Sequence, residues 1–235
     1  MRTKQIAIIH AEPESLPLDC SESALVVVDM QNDFCSPGGL FDRTGIDISP
    51  IRAAIRPTQT ALAAAREAGI TIVFLKMAFR PDLSDLGAPD SANRVRHLRF
   101  GVGQPCLASD GHQGRFLIRD TWNTEVIEEL RPQPEDSVLY KSRFSGFYQT
   151  DLDDILRRKQ IRNLIFAGCT TSVCVDSTLR DAMFRDYRCL LLADCVGEPI
   201  GCEFPRSNHD ASILTVKAVL GWVSNSDRFA LALRT

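Results

Sequence analysis

The chain has 235 residues, of which 44% are hydrophobic, 24% charged and 7% aromatic. At roughly 150 residues per domain this reads as one large domain over residues 1–235, and the composition excludes disordered, collagen-like and repeat classes. Lys and Arg total 27 against 30 Asp and Glu, a formal charge of −3, so there is no bulk basic field to hold a nucleic acid or an anionic membrane, and a small-molecule enzyme is the class left standing.

Apolar runs reach only the length of residues 24–28, far short of the ~20 residues of a membrane-spanning helix. The first twelve residues carry Arg2, Lys4, His10 and Glu12 around a short Ile-Ala-Ile-Ile stretch, too broken for a secretory signal, and the expected location is cytoplasmic. The eight cysteines are Cys20, Cys35, Cys106, Cys169, Cys174, Cys189, Cys195 and Cys202; they form no CxxC pair and no zinc-spaced cluster, so the reading is of reduced thiols.

Residues 23–30 (SALVVVDM) form a β-branched apolar run ended by an acid, the pattern of a fully buried parallel strand. Residues 52–68 have helical periodicity with Gly69 as the C-terminal stop and Pro57 near the start. Residues 71–75 (TIVFL) read as the second strand. From 76 to 121 the chain is rich in Pro, Gly, Asp, Arg and Ser and reads as one long loop, a length that usually signals function. Residues 124–130 (TEVIEEL) read as a helix and 137–140 (SVLY) as a strand. A capping pattern at Thr150 to Asp153 opens a helix that runs to Lys159. Strands at 164–167 and 188–193 alternate with helices at 171–184, 208–219 and 227–233. This alternation predicts an α/β fold with right-handed crossovers and a mostly parallel sheet covered on both faces.

Ligands of such sheets bind outside the carboxyl ends of the strands. Asp29 closes the first predicted strand, Lys141 the third, and Cys174 follows the fourth at the start of a helix, so all three face one edge. A helix N-terminus and a nearby ammonium both favour thiolate, which makes Cys174 the candidate nucleophile. Asp29 is placed to take the thiol proton and return it to a leaving nitrogen, and the turn at 168–171 offers backbone donors for an oxyanion. Singly, each has a structural reading: a capping Asp, a solvated Lys, a core Cys.

Three stretches carry a resemblance: ALVVVDMQNDFCSPGG (24–39), YKSRFSGFYQTDLDDIL around Lys141, and GCTTSVCVDSTLRDA (168–182). They resemble the signatures of the isochorismatase-like cysteine hydrolases, over about residues 23–233. The resemblance implies a three-layer α/β/α fold, Rossmann-like, with a six-stranded sheet. It further implies a catalytic triad of Asp29, Lys141 and Cys174, a cis peptide between Cys169 and Thr170, and an oxyanion hole made by the N–H groups of Thr170 and Cys174. Cys174 groups the chain with the amidases of that family. The Asp-x-His metal motif of its nicotinamidases is missing, so neither metal nor other cofactor is expected, and His97 and His112 read as loop surface. A homo-oligomer, dimer or tetramer, is expected by resemblance alone.

Within the amidases, the stretch around Lys141 and LGWVSNSDRF near the C-terminus are most similar to ureidoacrylate amidohydrolases, whereas FRPDLSDL (79–86) resembles biuret hydrolases. The expected partner is thus a small ureido compound, with biuret or triuret as the alternative. Phe34, Phe144, Phe147 and Tyr148 are candidates to wall its pocket. Arg80, with Asn93, Arg94, Arg96 and Arg99, is a candidate to pair with a carboxylate. Two readings from other classes remain open. One is a Cys/His hydrolase using His209, whose neighbours look like a helix start; the other is a catalytically idle binding protein on the same fold.

Overall fold

Five of the six strands of the main sheet arise from sequence runs in which every second side chain belongs to a different core, and both cores are covered. A computed structural model describes residues 5–109 and 111–234. In chain order the strands are β1 (Ile6–Ile9), β2 (Leu16–Asp19), β3 (Ser23–Val28), β4 (Thr71–Met77), β5 (Pro105–Leu107), β6 (Gln113–Arg115), β7 (Ser137–Lys141), β8 (Asn163–Cys169), β9 (Arg188–Gly197) and β10 (Trp222–Ser224). The helices are α1 (Asn32–Cys35), α2 (Leu40–Arg43), α3 (Ser49–Ala53), α4 (Ile55–Glu67), α5 (Ala92–Arg99), α6 (Leu152–Arg158), α7 (Asp176–Met183), α8 (Asn208–Thr215) and α9 (Ser226–Leu233).

The central sheet has six strands in the order β10-β9-β8-β3-β4-β7, all parallel. Along β3, Leu25 and Val27 enter one core while Ala24, Val26 and Val28 enter the other. The first core packs Ile55, Ala61 and Leu62 of α4 and Phe229 and Leu233 of α9, and the second Leu152 and Leu156 of α6 and Leu179 and Ala182 of α7. A strand buried on both faces must be apolar at nearly every position, which is why β3 reads as an unbroken run. The result is the three-layer α/β/α architecture expected from the sequence.

The chain runs from β3 outward to β4 and β7, then returns to the other side of β3 for β8, β9 and β10. The reversal leaves a crevice between the carboxyl ends of β3 and β8, where such sheets hold their ligands.

Several elements differ from the sequence reading. The helix expected at 52–68 is divided into α3 and α4, and Pro57 falls in the first turn of α4, where its missing N–H leaves no helical bond unmade. No α-helix forms over 124–130, only the end of a short 3-10 turn, Trp122–Thr124, and a second one, Glu128–Leu130. Part of the backbone of this stretch pairs instead with the chain that leads into α1: Asn32 N–H donates to Glu125 O and Ile127 N–H to Met30 O, at 2.9 and 3.0 Å. The stretch 76–121 is not one loop but carries α5 and the hairpin of β5 and β6. The helix expected at 171–184 opens with a wide π-helical turn, Thr171–Val175, before α7, and a second such turn, Val216–Leu220, follows α8.

Candidate active site

Asp29 follows β3 with φ of +53°, a left-handed conformation that Asp tolerates better than most residues. The turn is pinned by Asp29 N–H donating to Leu75 O at 2.9 Å and Gln31 N–H donating to Asp29 O at 2.8 Å. These bonds aim the carboxylate across the end of the sheet. Its Oδ1 accepts the Met77 N–H at 2.9 Å, and its Oδ2 accepts from Lys141 Nζ at 2.8 Å. Lys141, the last residue of β7, reaches beneath Met77 and also donates to Arg143 O at 3.3 Å. Both members of the pair are 1% exposed. The Cys174 thiol lies beside both groups and feels the charge of each.

The electrostatics follow from burial. Burial raises the Asp29 carboxyl above the usual range, against the opposing pull of Lys141. Burial works to lower the Lys141 ammonium, but Asp29 and Cys174 beside it prevail and hold it above the ordinary lysine value. The sequence reading of a thiol tuned toward thiolate is corrected here. Burial first, then the Asp29 charge, push Cys174 far up, and Lys141 only partly offsets them. Burial thus raises the proton affinity of the Cys174 thiol and of the neighbouring Asp29 carboxylate alike. That arrangement suits transfer of a proton between them on demand.

Cys174 sits in the π-helical turn, a geometry that recurs at functional sites because it frees backbone groups from the regular ladder. The amides of Val173 and Val175, on either side of it, both donate to Thr170 O at 3.2 Å. The Cys169–Thr170 peptide is cis. Glu198, 1% exposed just after β9, holds the turn from behind by accepting from the Ser172 N–H at 2.7 Å and from the Ser172 hydroxyl.

Above the three residues lies a cavity of about 330 Å3 lined by Asp29, Thr170 and Cys174 and walled by Phe34, Phe41, Phe100, Leu117, Phe144 and Ile200. Of the expected wall residues, Phe34 and Phe144 line it. Phe147 does not: it is buried in the second core beside Tyr187, ring centroids 6.0 Å apart. Tyr148 is exposed under the Arg143 guanidinium, 5.2 Å from its ring centre. Arg80 is exposed and outside the lining; its N–H donates to Asp85 Oδ1 at 3.0 Å. Arg94 points to the Leu83 and Gly87 carbonyls at 3.3 and 3.5 Å, and Asn93 to Leu86 O at 2.9 Å.

Arg96 and His97, both on α5, do line the cavity. His97 is thus corrected from loop surface to pocket wall. The available signal was Ser91, which caps α5 by accepting the Arg94 N–H and so marks a helix start inside the supposed loop. His209 is not at the cavity; its Nδ1 lies 3.0 Å from Thr171 Oγ1, so it does not face Cys174 as a base would. Among the described residues no group of three or more His, Cys, Asp or Glu is arranged to hold a metal ion, and no helix is long and apolar enough to cross a membrane.

Fold and site define a class: a three-layer α/β/α hydrolase with a cysteine in the crevice of its sheet. The isochorismatase domain model matches residues 23–228, and the chain belongs to that family. Among solved structures it is similar to a cysteine hydrolase from Pseudomonas syringae pv. phaseolicola, with 29% identity, 99% and 98% of the two chains covered and a TM-score of 0.78. It is similar also to an isochorismatase family protein from Desulfovibrio vulgaris, with 25% identity, coverage of 91% and 99% and a TM-score of 0.71. The N-carbamoylsarcosine amidase from Thermoplasma acidophilum matches at 27% identity, with 88% and 97% covered and a TM-score of 0.63.

Proposed function

We propose that this hydrolase is a cysteine amidohydrolase that cleaves the carbamoyl C–N bond of a small ureido acid of the ureidoacrylate type. The observation that carries the reading is that Asp29, which accepts from Lys141 at 2.8 Å, and the Cys174 thiol line one cavity together. As the thiol attacks the carbamoyl carbon, its proton passes to Asp29 and the Sγ–C bond forms. The oxyanion rests on the Thr170 and Cys174 amides. Asp29 then gives the proton to the departing nitrogen, the C–N bond breaks, and a carbamoyl thioester remains. Water adds to that thioester, yields one proton to Asp29, and expels the sulfur, which recovers the proton as carbamate leaves. Lys141 keeps its proton throughout and holds the Asp29 carboxylate in position.

The amidase likeness supports C–N chemistry, since the Thermoplasma relative is named for the cleavage of a carbamoyl compound. Arg96 supports an acidic substrate. It lines the cavity and pairs with no carboxylate among the described residues, whereas the other basic candidates of this segment point to backbone carbonyls or lie outside the lining. A buried substrate carboxylate needs such a cation. The segment that resembles biuret hydrolases serves scaffolding here: Asp85 pairs with Arg119 at 2.9 Å and Leu86 is buried.

The test is ammonia release from ureidoacrylate and from biuret. The expected result is a higher kcat/KM for the acid; a clear preference for biuret or triuret assigns the enzyme to the neutral substrate, and no release from any ureido compound refutes the amidohydrolase reading.

A further inference from the structure

A ureido group has two nitrogens, and the mechanism above provides for only one of them. The leaving nitrogen meets Asp29. The terminal NH2 stays on the acyl enzyme and must lie in a cavity walled largely by Phe, Leu and Ile side chains, where an N–H left without an acceptor loses its hydrogen bond to water with nothing in return. Apart from Asp29 and the Thr170 hydroxyl, His97 supplies the only nitrogen or oxygen side-chain acceptor lining the cavity among the described residues.

The acceptor state of His97 is set by its own contacts. Its Nδ1 lies 2.6 Å from Asn93 O, a carbonyl that only accepts, so Nδ1 carries the proton and Nε2 the lone pair. Nε2 has no protein partner among the described residues. The ring is held edge-on to Phe79 at 5.2 Å and tilted against Phe144 at 5.8 Å, so it has little freedom to turn away. Burial lowers the imidazole below the ordinary histidine value, and the Lys141 and Arg143 cations work in the same direction against its own Asn93 bond.

We propose that His97 is a specificity-determining residue whose Nε2 accepts a hydrogen bond from the terminal NH2 of the carbamoyl group. The proposal rests on the amidohydrolase reading for the identity of that group. It makes the site selective for carbamoyl over acyl compounds: replacing the terminal NH2 by the isosteric CH3 leaves Nε2 unpaired, and pockets built around a hydrogen bond reject analogues that lack it.

The experiment compares N-carbamoyl-β-alanine with N-acetyl-β-alanine in the wild type and in His97→Phe, which keeps an aromatic ring against Phe79 and Phe144 but removes the acceptor. Turnover is read as kcat/KM, and the ratio between proteins cancels the intrinsic reactivity of the two carbonyls. Binding is read by calorimetry in a Cys174→Ser background, so that it does not depend on turnover. The expected result is a loss of about tenfold or more for the carbamoyl compound and little change for the acetyl compound in both measurements, with partial recovery in His97→Gln, which restores an acceptor. An unchanged thermal midpoint excludes misfolding as the cause. Equal losses for both compounds, no loss for either, or no measurable binding of the carbamoyl compound overturns the proposal. Selective loss of binding with no wild-type turnover of either compound leaves His97 in its role and refutes the amidohydrolase reading instead.

Discussion

Lys141→Met removes one charge from a pair that has almost no contact with water. Asp29 and Lys141 are each 1% exposed and joined at 2.8 Å, so the substitution leaves a buried carboxylate whose remaining fixed donor is the Met77 N–H. Breaking such a pair from one side costs about 3–5 kcal/mol, because the survivor's desolvation is no longer compensated. At about 2–4 °C per kcal/mol for a chain of this size, the thermal midpoint falls by about 6–20 °C. The loss also depends on pH. With Lys141 gone, the already raised Asp29 carboxyl rises further, so the native state binds its proton more tightly than the unfolded chain does. Destabilisation is then smallest below the ordinary carboxylate range and grows as pH rises toward the native Asp29 value. Replacing both partners, Asp29→Leu with Lys141→Met, recovers most of the stability while activity stays lost. Urea titrations of the four proteins at acid and neutral pH supply the cycle. A single-mutant loss below about 1 kcal/mol, or one independent of pH, refutes the picture of a sealed pair.

Three further outcomes follow from the same geometry. Arg96→Ala raises KM for a ureido acid by about tenfold or more and leaves a neutral substrate such as biuret unchanged, a difference steady-state kinetics reads directly; equal effects on both remove Arg96 from carboxylate binding. Cys189→Ala, in a second buried thiol whose Sγ contacts the Leu179 and Tyr187 carbonyls, retains turnover, whereas Cys174→Ala abolishes it. Asp33, buried against the amides of Leu40 and Leu117, is raised from 3.8 to about 6 by burial. Its contribution to stability is complete below the unfolded value and declines as pH rises through the native one, by about 3 kcal/mol in all. Asp33→Asn therefore removes a stability decrease between about pH 4 and pH 7 that the wild type shows, and parallel slopes in the two proteins contradict the assignment.

The strands of the central sheet, and the placement of Asp29 and Lys141 at the ends of two of them, were legible because each signal is local. A strand buried on both faces has to be an apolar run, and Asp29 and Lys141 are polar residues set at the ends of such runs. The cavity wall was legible only in part. Phe147 and Tyr148 lie next to Phe144 in sequence, but one turns into the core beside Tyr187 and the other under Arg143, a choice made by tertiary partners. Arg96 and His97 were obscured because α5 buries no residue completely and so shows no apolar stripe; only its Ser91 cap betrays it. The hairpin of β1 and β2 escaped because Ile6 and Ile8 are exposed, which erases the polar alternation that usually marks an edge. The stretch 124–130 has helical composition, yet the Glu125 carbonyl and the Ile127 N–H pair with Asn32 and Met30 instead. The state of the Cys174 thiol was misjudged because sequence shows the cations and helix ends near a residue, not the depth of its burial.

The most direct test of the account is rapid-quench mass spectrometry of the intact protein mixed with a ureido acid. The expected result is a transient mass increase of one carbamoyl group, located on the peptide that contains Cys174 and accumulating when the second, hydrolytic step is slow. Turnover by Cys174→Ala, or an adduct on a residue other than Cys174, contradicts the covalent mechanism.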